Sequence, residues 1–208
     1  MDQHTARCAT VEGERLPTRV KGEWRAFLAR MLRHPRIVGA IAPSSEALAR
    51  AMLRAAMPLQ GAVLELGAGT GVFSRTLLRA GLAPEALYVV ERLPEFAAAL
   101  RSQLPAVQVM ELDAAELQPA QFAHAPVTVV SGLPLRAMSE TQVEAILRAV
   151  LDCCRPDLRF VQFSYGWRCP VPASIRARLG LRAERMRWVP WNLPPAWVWR
   201  LQRDAAAG

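Results

Sequence analysis

Three carboxylates stand where apolar, strand-like runs end. Glu65 lies in the run 62–66 and is followed at once by Gly67-Ala68-Gly69-Thr70-Gly71; Glu91 closes the run 87–91; Asp113 follows the run 107–111. Glycines directly after a strand let the backbone turn tightly and let a ligand approach it closely. The third glycine comes two positions after the second, which departs from the G-x-G-x-x-G spacing of dinucleotide sites. Glu65, just ahead of the loop, would also repel a pyrophosphate held on the helix amides. The loop therefore suits a ligand that carries positive charge.

A fourth run, 128–131, ends in Ser131-Gly132-Leu133-Pro134-Leu135, and between Pro126 and Pro134 only Thr128 and Ser131 have side chains that can hydrogen-bond. Neither is an acid or a base near neutral pH. Chemistry at such an edge must come from a cofactor that brings its own reactive group, so that the protein positions the reactants and excludes water. S-adenosylmethionine, with an ammonium and a sulfonium, meets both conditions. Glu65 would hold its amino group, Glu91 would accept both ribose hydroxyls, and Asp113 would accept from the adenine amino group while the Ala114 amide donates to the ring.

The elements that must position these groups follow from hydrophobic periodicity. Strand-like and helix-like runs alternate: strand 62–66, helix 72–79, strand 87–91, helix 94–104, strand 107–111, strand 128–131, a helix opened by the capping pattern Ser139-Glu140-Thr141-Gln142, and strand 159–164. Two late strands at 184–189 and 196–201 suit an antiparallel hairpin. This order predicts an α/β fold: a doubly wound, mostly parallel sheet with ligands at the carboxyl ends of its strands. Ahead of it, residues 1–17 lack periodicity and are expected to be a disordered tail. Residues 19–33 read as a basic amphipathic helix, with Trp24, Phe27 and Leu28 opposite Arg19, Lys21, Arg25, Arg30 and Arg33, stopped near His34-Pro35. A second helix is expected to start at Ser44 or Ser45, where a hydroxyl can cap free amides, and to end near Met57.

The 208 residues, 52% hydrophobic, give ample material for one large domain. The formal charge of +8 is carried almost wholly by arginine, since Lys21 is the only lysine. Arginine suits phosphate groups, but charge alone separates no partner class. Cys8, Cys153, Cys154 and Cys169 have no metal-site spacing, and no metal is expected. No signal-peptide pattern and no apolar run of spanning length is present, so a cytoplasmic chain is expected.

On E-L-G-A-G-T-G and the acids that follow it, residues 60–200 resemble the class I S-adenosylmethionine-dependent methyltransferases. The resemblance implies a seven-stranded sheet with a reversed final hairpin, and cofactor contacts at Glu65, Gly67, Gly69, Glu91 and Asp113. The segments G-A-I-A-P-S-S at 39–45, S-G-L-P-L at 131–135, F-V-Q-F-S-Y-G at 160–166 and W-N-L-P-P-A-W-V-W-R at 191–200 resemble the small bacterial phospholipid N-methyltransferases, which convert phosphatidylethanolamine to phosphatidylcholine. That narrower likeness implies a phospholipid substrate, docking of residues 19–33 on an anionic membrane surface at the inner face of the membrane, and a monomer. It divides the chain into a tail 1–17, N-terminal helices 18–57 that dock and cover the site, and a methyltransferase domain 58–208.

The rival is an rRNA adenine methyltransferase, which the charge suits equally. That family carries N-[LI]-P-[YF] after the fourth strand to hold a flipped base, and here Gly132 and Leu135 stand where the amide and the aromatic belong, so no nucleic-acid partner is expected. A non-catalytic cofactor-binding or membrane-binding module is the third reading. Within the lipid reading Tyr165, just past the fifth strand, is the candidate catalytic group, as hydrogen-bond partner, proton acceptor or cation-π face, with His34 as a second proton acceptor. Arg36 and Arg168 are candidates for the lipid phosphate. Ala68 completes the glycine loop, Ser44 would cap a helix near the cofactor carboxylate, and the backbone at Ser131 would orient the amine.

Overall fold

The computed structural model describes residues 35–192 and 194–204, with the side chains of 35–45 excepted. The expectations for residues 1–17, residues 19–33 and His34 lie outside the described residues, and so do those for the side chains of Arg36 and Ser44. The compact unit described below covers residues 40–208.

Helix α1 (Pro35–Ala56) is followed by β1 (Val63–Leu66), α2 (Val72–Arg79), β2 (Leu87–Val90), α3 (Pro94–Gln103), β3 (Gln108–Met110), β4 (Thr128–Ser131), α4 (Glu140–Cys153), β5 (Arg159–Ser164), α5 (Ala173–Arg178), β6 (Leu181–Val189) and β7 (Ala196–Arg203). The seven strands form one sheet in the order β3-β2-β1-β4-β5-β7-β6. Pairing is parallel from β3 through β5, and β7 runs antiparallel to both β5 and β6. The chain winds outward from β1 to β3 and returns to place β4 on the other side of β1. That reversal opens a crevice at the carboxyl ends of β1 and β4.

Every residue of β1, β2 and β4 is buried, as expected for strands covered on both faces. One face packs Leu64, Leu66, Val129 and Phe160 against Val143, Ile146, Leu147 and Val150 of α4 and Ile175 of α5. The other packs Val63, Val89, Val130 and Val161 against Leu48 and Met52 of α1, Leu77 of α2 and Leu100 of α3. Removing a side chain such as Leu147 would leave a cavity on the first face and cost about 2–5 kcal/mol. Helix α4 begins as its sequence implies: Ser139 Oγ accepts from the Gln142 amide at 3.2 Å, while Gln142 Oε1 accepts from the Ser139 amide at 3.1 Å.

Two elements correct the expectation. Helix α1 starts at Pro35, not at Ser44 or Ser45. Proline opens a helix readily because the first-turn N–H groups need no intrahelical acceptor, so no hydroxyl cap is required nine residues later. Ser44 therefore lies within the helix, and no helix N-terminus stands there to meet a cofactor carboxylate. Helix α5 was not anticipated, because six residues are too few to display a period; Pro172 precedes it and buried Ile175 anchors it.

Candidate active site

Gly67, Gly69 and Gly71 all take positive φ, at 68°, 54° and 77°, so the turn from β1 into α2 needs glycine at each. A Cβ on Gly67 would come within 2.7 Å of Leu133 Cδ2, whereas one on Gly69 would meet nothing within 4 Å. The middle of the loop is thus open to a ligand, and its first residue is locked against the β4 loop. The Gly67 N–H donates to the Val90 carbonyl at 2.8 Å, which ties the loop to β2.

Glu65 is completely buried on β1. Its Oε2 accepts from Ser74 Oγ on α2 at 2.5 Å, and its Oε1 has no protein donor. Burial raises its pKa to about 7, with nearby Glu91 pushing the same way and the Ser74 bonds pulling it back. A buried carboxyl with an unused acceptor beside a glycine loop is suited to receive a cationic ligand group or its hydrating water.

Glu91 is the first residue past β2 and is nearly buried. It clasps two loops: Oε2 accepts from the Gly69 N–H at 2.8 Å and Oε1 from the Leu93 N–H at 2.9 Å. Each oxygen keeps a second lone pair for a ligand hydroxyl. Asp113 is more exposed. Its Oδ1 caps the turn Ala114–Glu116 through the Ala115 amide at 3.1 Å, and its Oδ2 pairs with Arg92 at 3.2 Å. Arg92 has no sequence signal, since the pair joins the loops after β2 and β3. Ala114 is buried against the sheet, and Ala68 is buried within the glycine loop.

Ser131 is fully buried, and its Oγ accepts from the Leu133 N–H at 3.3 Å. The hydroxyl therefore shapes its own turn. The Gly132 N–H continues the ladder to the Leu66 carbonyl at 2.8 Å, and a Cβ at Gly132 would stand 2.7 Å from the Gly67 carbonyl oxygen. Glycine at 132 is thus required by the approach of the two loops. Buried Gln162 on β5 donates to the Leu133 carbonyl at 2.9 Å and fixes the far side of the turn.

Tyr165 follows β5 and is half exposed. Its ring meets Phe163 edge-on at 5.3 Å, and Phe163 in turn lies 6.4 Å from Phe73, at the start of α2. An aromatic wall therefore runs from the glycine loop to Tyr165. Desolvation raises the Tyr165 pKa above the ordinary phenol value, while the adjacent Asn192 side chain pulls it down. Asn192 is buried and donates to the Pro194 carbonyl at 2.7 Å. Phe73 carries no local signal for this role, because its contact with Phe163 joins α2 to a strand far along the chain.

The chain matches the family described as a methyltransferase domain over residues 63–157. It is 31% identical over 184 residues to an ornithine lipid N-methyltransferase of Singulisphaera acidiphila, covering 82% of this chain and 91% of that protein. The chain belongs to the class I S-adenosylmethionine-dependent methyltransferases. The methyltransferase fold is shared with solved structures at low identity. The Burkholderia thailandensis 1,6-didemethyltoxoflavin-N1-methyltransferase, with bound S-adenosylhomocysteine, gives a TM-score of 0.66 at 16% identity, covering 94% of this chain and 93% of that one. The magnesium protoporphyrin IX methyltransferase of Synechocystis, with bound S-adenosylmethionine, gives 0.58 at 14% identity, covering 92% and 87%.

The cofactor of the methyltransferase is S-adenosylmethionine. The residues present fit it: the unpartnered Glu65 Oε1, the open space above Gly69 and the spare lone pairs of Glu91 converge on the crevice at the end of β1. The enzyme transfers the methyl group of that cofactor. Among the described residues no helix is long and apolar enough to cross a membrane.

Proposed function

We propose that this methyltransferase acts on the amine of a membrane lipid, phosphatidylethanolamine and its methylated derivatives, giving phosphatidylcholine. The observation that carries the lipid reading is the placement of exposed aromatic side chains. Large exposed apolar residues among those described are Met57, Tyr165, Trp167, Trp188 and Trp191. Cross-strand register puts Ser164 level with Trp197, and Trp197 level with Trp188, so all of these but Met57 lie at the carboxyl edge of the sheet, where the cofactor loops are. Tryptophan favours the lipid–water boundary, its ring in the apolar layer and its N–H toward headgroups. The relative's own lipid substrate supports the same class.

In this reading Glu65 receives the cofactor's amino group, Gly67, Ala68 and Gly69 let it approach the backbone, Glu91 receives the ribose hydroxyls, and Asp113 with the Ala114 amide receives the adenine. S-adenosylmethionine supplies an electrophilic methyl on sulfur. The chain supplies position and a dry wall. A primary amine of lysine-like pKa is only about 0.1% neutral at pH 7, equivalent to roughly 4 kcal/mol; desolvation against Phe73 and Phe163 lowers that barrier, and the proton the amine loses passes to water. A phenol with a raised pKa is neutral at pH 7, so Tyr165 acts by its ring face on the ammonium and by its hydroxyl as a hydrogen-bond partner, not as a base. The Ser131 hydroxyl is committed to its turn, which leaves backbone carbonyls of that loop to orient the amine.

The docking of residues 19–33 on an anionic surface, the peripheral location on the cytoplasmic face of the membrane, and the monomeric state belong to the same proposal. An RNA substrate is disfavoured: Leu135, where a base-stacking ring would be needed, is in the core, and Gly132 has no room for an amide side chain. Incubation with methyl-labelled cofactor and either phosphatidylethanolamine vesicles, ornithine lipid vesicles or RNA tests the reading. Label is expected in phosphatidylethanolamine. Label in ornithine lipid alone would correct the headgroup, and label in RNA alone would overturn the lipid class.

A further inference from the structure

We infer that Arg136 and Arg168 form a subsite for the anionic group of the lipid substrate, beside the amine that is methylated. The subsite rests on the lipid reading above. A cavity of about 300 Å³ is lined by Arg136, Gly166, Trp167 and Arg168. Arg136 comes from the short turn Leu135–Ala137 after β4, and the other three from the turn after β5. β4 is next to β1 and β5 is next to β4, and Gly166 directly follows Tyr165.

The charge in this cavity is uncompensated. Several arginines elsewhere are paired with carboxylates, Arg92 with Asp113, Arg101 with Glu111, Arg148 and Arg178 with Glu144, Arg200 with Glu184, and others bond amide or carbonyl oxygens, as Arg75 does Gln103 and Arg203 the Leu151 carbonyl. Neither Arg136 nor Arg168 has a carboxylate partner among the described residues, and no acid lines the cavity. The Arg168 guanidinium lies 5.0 Å from the centre of the Trp167 ring, which holds its plane while leaving its N–H donors free. The turn itself is fixed, because Ser164 Oγ donates to the Arg168 carbonyl at 3.2 Å.

Two guanidiniums from two loops, held without a counter-ion, match a phosphodiester or a carboxylate by bidentate, charge-assisted bonds. Both chemistries occur next to an amine in lipid headgroups: phosphodiester in phosphatidylethanolamine, carboxylate in ornithine. A zwitterionic headgroup would then lie across the Tyr165–Gly166 turn, its anion on the arginines and its ammonium toward the tyrosine ring. This arrangement selects an amine that carries an anion nearby over a plain long-chain amine.

The test uses the full chain in uncharged detergent micelles, so that bulk membrane charge plays no part. Methylation is measured for phosphatidylethanolamine, for ornithine lipid and for a long-chain amine without an anion. For Arg136→Gln and Arg168→Gln, KM for the preferred anionic lipid is expected to rise about tenfold each with kcat changed less than threefold, and the preference over the plain amine to fall to near parity. An equal loss on the plain amine would assign the arginines a structural role and overturn the subsite. Separately, glycerophosphoethanolamine and ornithine are titrated against tryptophan fluorescence, with Trp167→Phe to assign the signal. Saturable binding of one of them, lost in the double variant, supports the subsite and identifies phosphodiester or carboxylate as its ligand. Binding of neither by the unaltered protein overturns the subsite even if lipid is methylated, and binding without methylation of any lipid overturns the lipid reading and the subsite's assignment to a lipid headgroup, leaving only an anion site.

Discussion

The two halves of the sheet solve different problems. On the β1-β2-β3 side, carboxylates sit at strand ends, buried or capping: Glu91 and Asp113 accept from backbone amides, and Glu65 accepts from the Ser74 hydroxyl. On the β4-β5-β7-β6 side, the same edge carries aromatic rings and guanidiniums, much of them exposed: Tyr165, Trp167, Trp188, Trp191, Arg136 and Arg168. As the proposed receptor for a small, positively charged cofactor, the first half has its groups held by hydrogen bonds within the protein. In the lipid reading proposed above, the second half meets a substrate held in an interface, which its exposed rings suit. Where the halves touch, glycine is compulsory: Gly67 packs under Leu133 and Gly132 under the Gly67 carbonyl.

Changes that break the first half should be the most severe. Glu91→Ala removes the clasp between two loops and the proposed ribose acceptor together, and is expected to weaken cofactor binding at least 100-fold by calorimetry, ~3 kcal/mol. If binding survives within a few-fold, the β1-β2 side is not the receptor proposed.

Glu65→Gln should separate binding from stability. Because the folded carboxyl has its pKa raised to about 7, it favours the protonated form, so its contribution to stability is fully present below pH ~4.5 and is lost as pH rises through 7. The Gln variant without cofactor should therefore be more stable than the parent at pH 8, by up to ~3 kcal/mol in denaturant titration. Cofactor affinity of the parent should tighten as pH rises through 7, and that of Glu65→Gln should be weaker by about tenfold and flat with pH. A parent whose stability does not change between pH 4.5 and 7 would refute the assignment.

On the substrate half, Tyr165→Ala is expected to lower kcat/KM for lipid about tenfold while Tyr165→Phe stays within about threefold, since the ring face is the working part. Equal losses in both would shift the role to the hydroxyl and to Asn192. The smallest effect on chemistry is expected for Trp188→Ala with Trp191→Ala: flotation on vesicles should weaken several-fold, while turnover in micelles is unchanged. A matching loss in micelles would place these rings in the site itself and not at a lipid boundary.

Much of the sheet and of its strand-end acids is legible in the sequence. Strands β4 and β5 and helix α2 have the boundaries that periodicity implied, and Glu65, Glu91 and Asp113 fall at strand ends around the crevice. Helix α1 and helix α5 were misread or missed, one because a proline can open a helix without a capping hydroxyl, the other because one and a half turns carry no detectable period.

The sequence by itself determined the winding of the sheet, the glycine turn and the placing of three acids, because each depends on residues close along the chain. Only the tertiary structure decided that Glu65 is sealed with one unused oxygen, that Gly132 is glycine because Gly67 lies against it, and that Arg136 and Arg168 meet at one cavity. Those facts depend on side chains tens of residues apart, brought together by crossovers between strands. Desolvation, steric exclusion and uncompensated charge are properties of such neighbourhoods, and no local pattern encodes them.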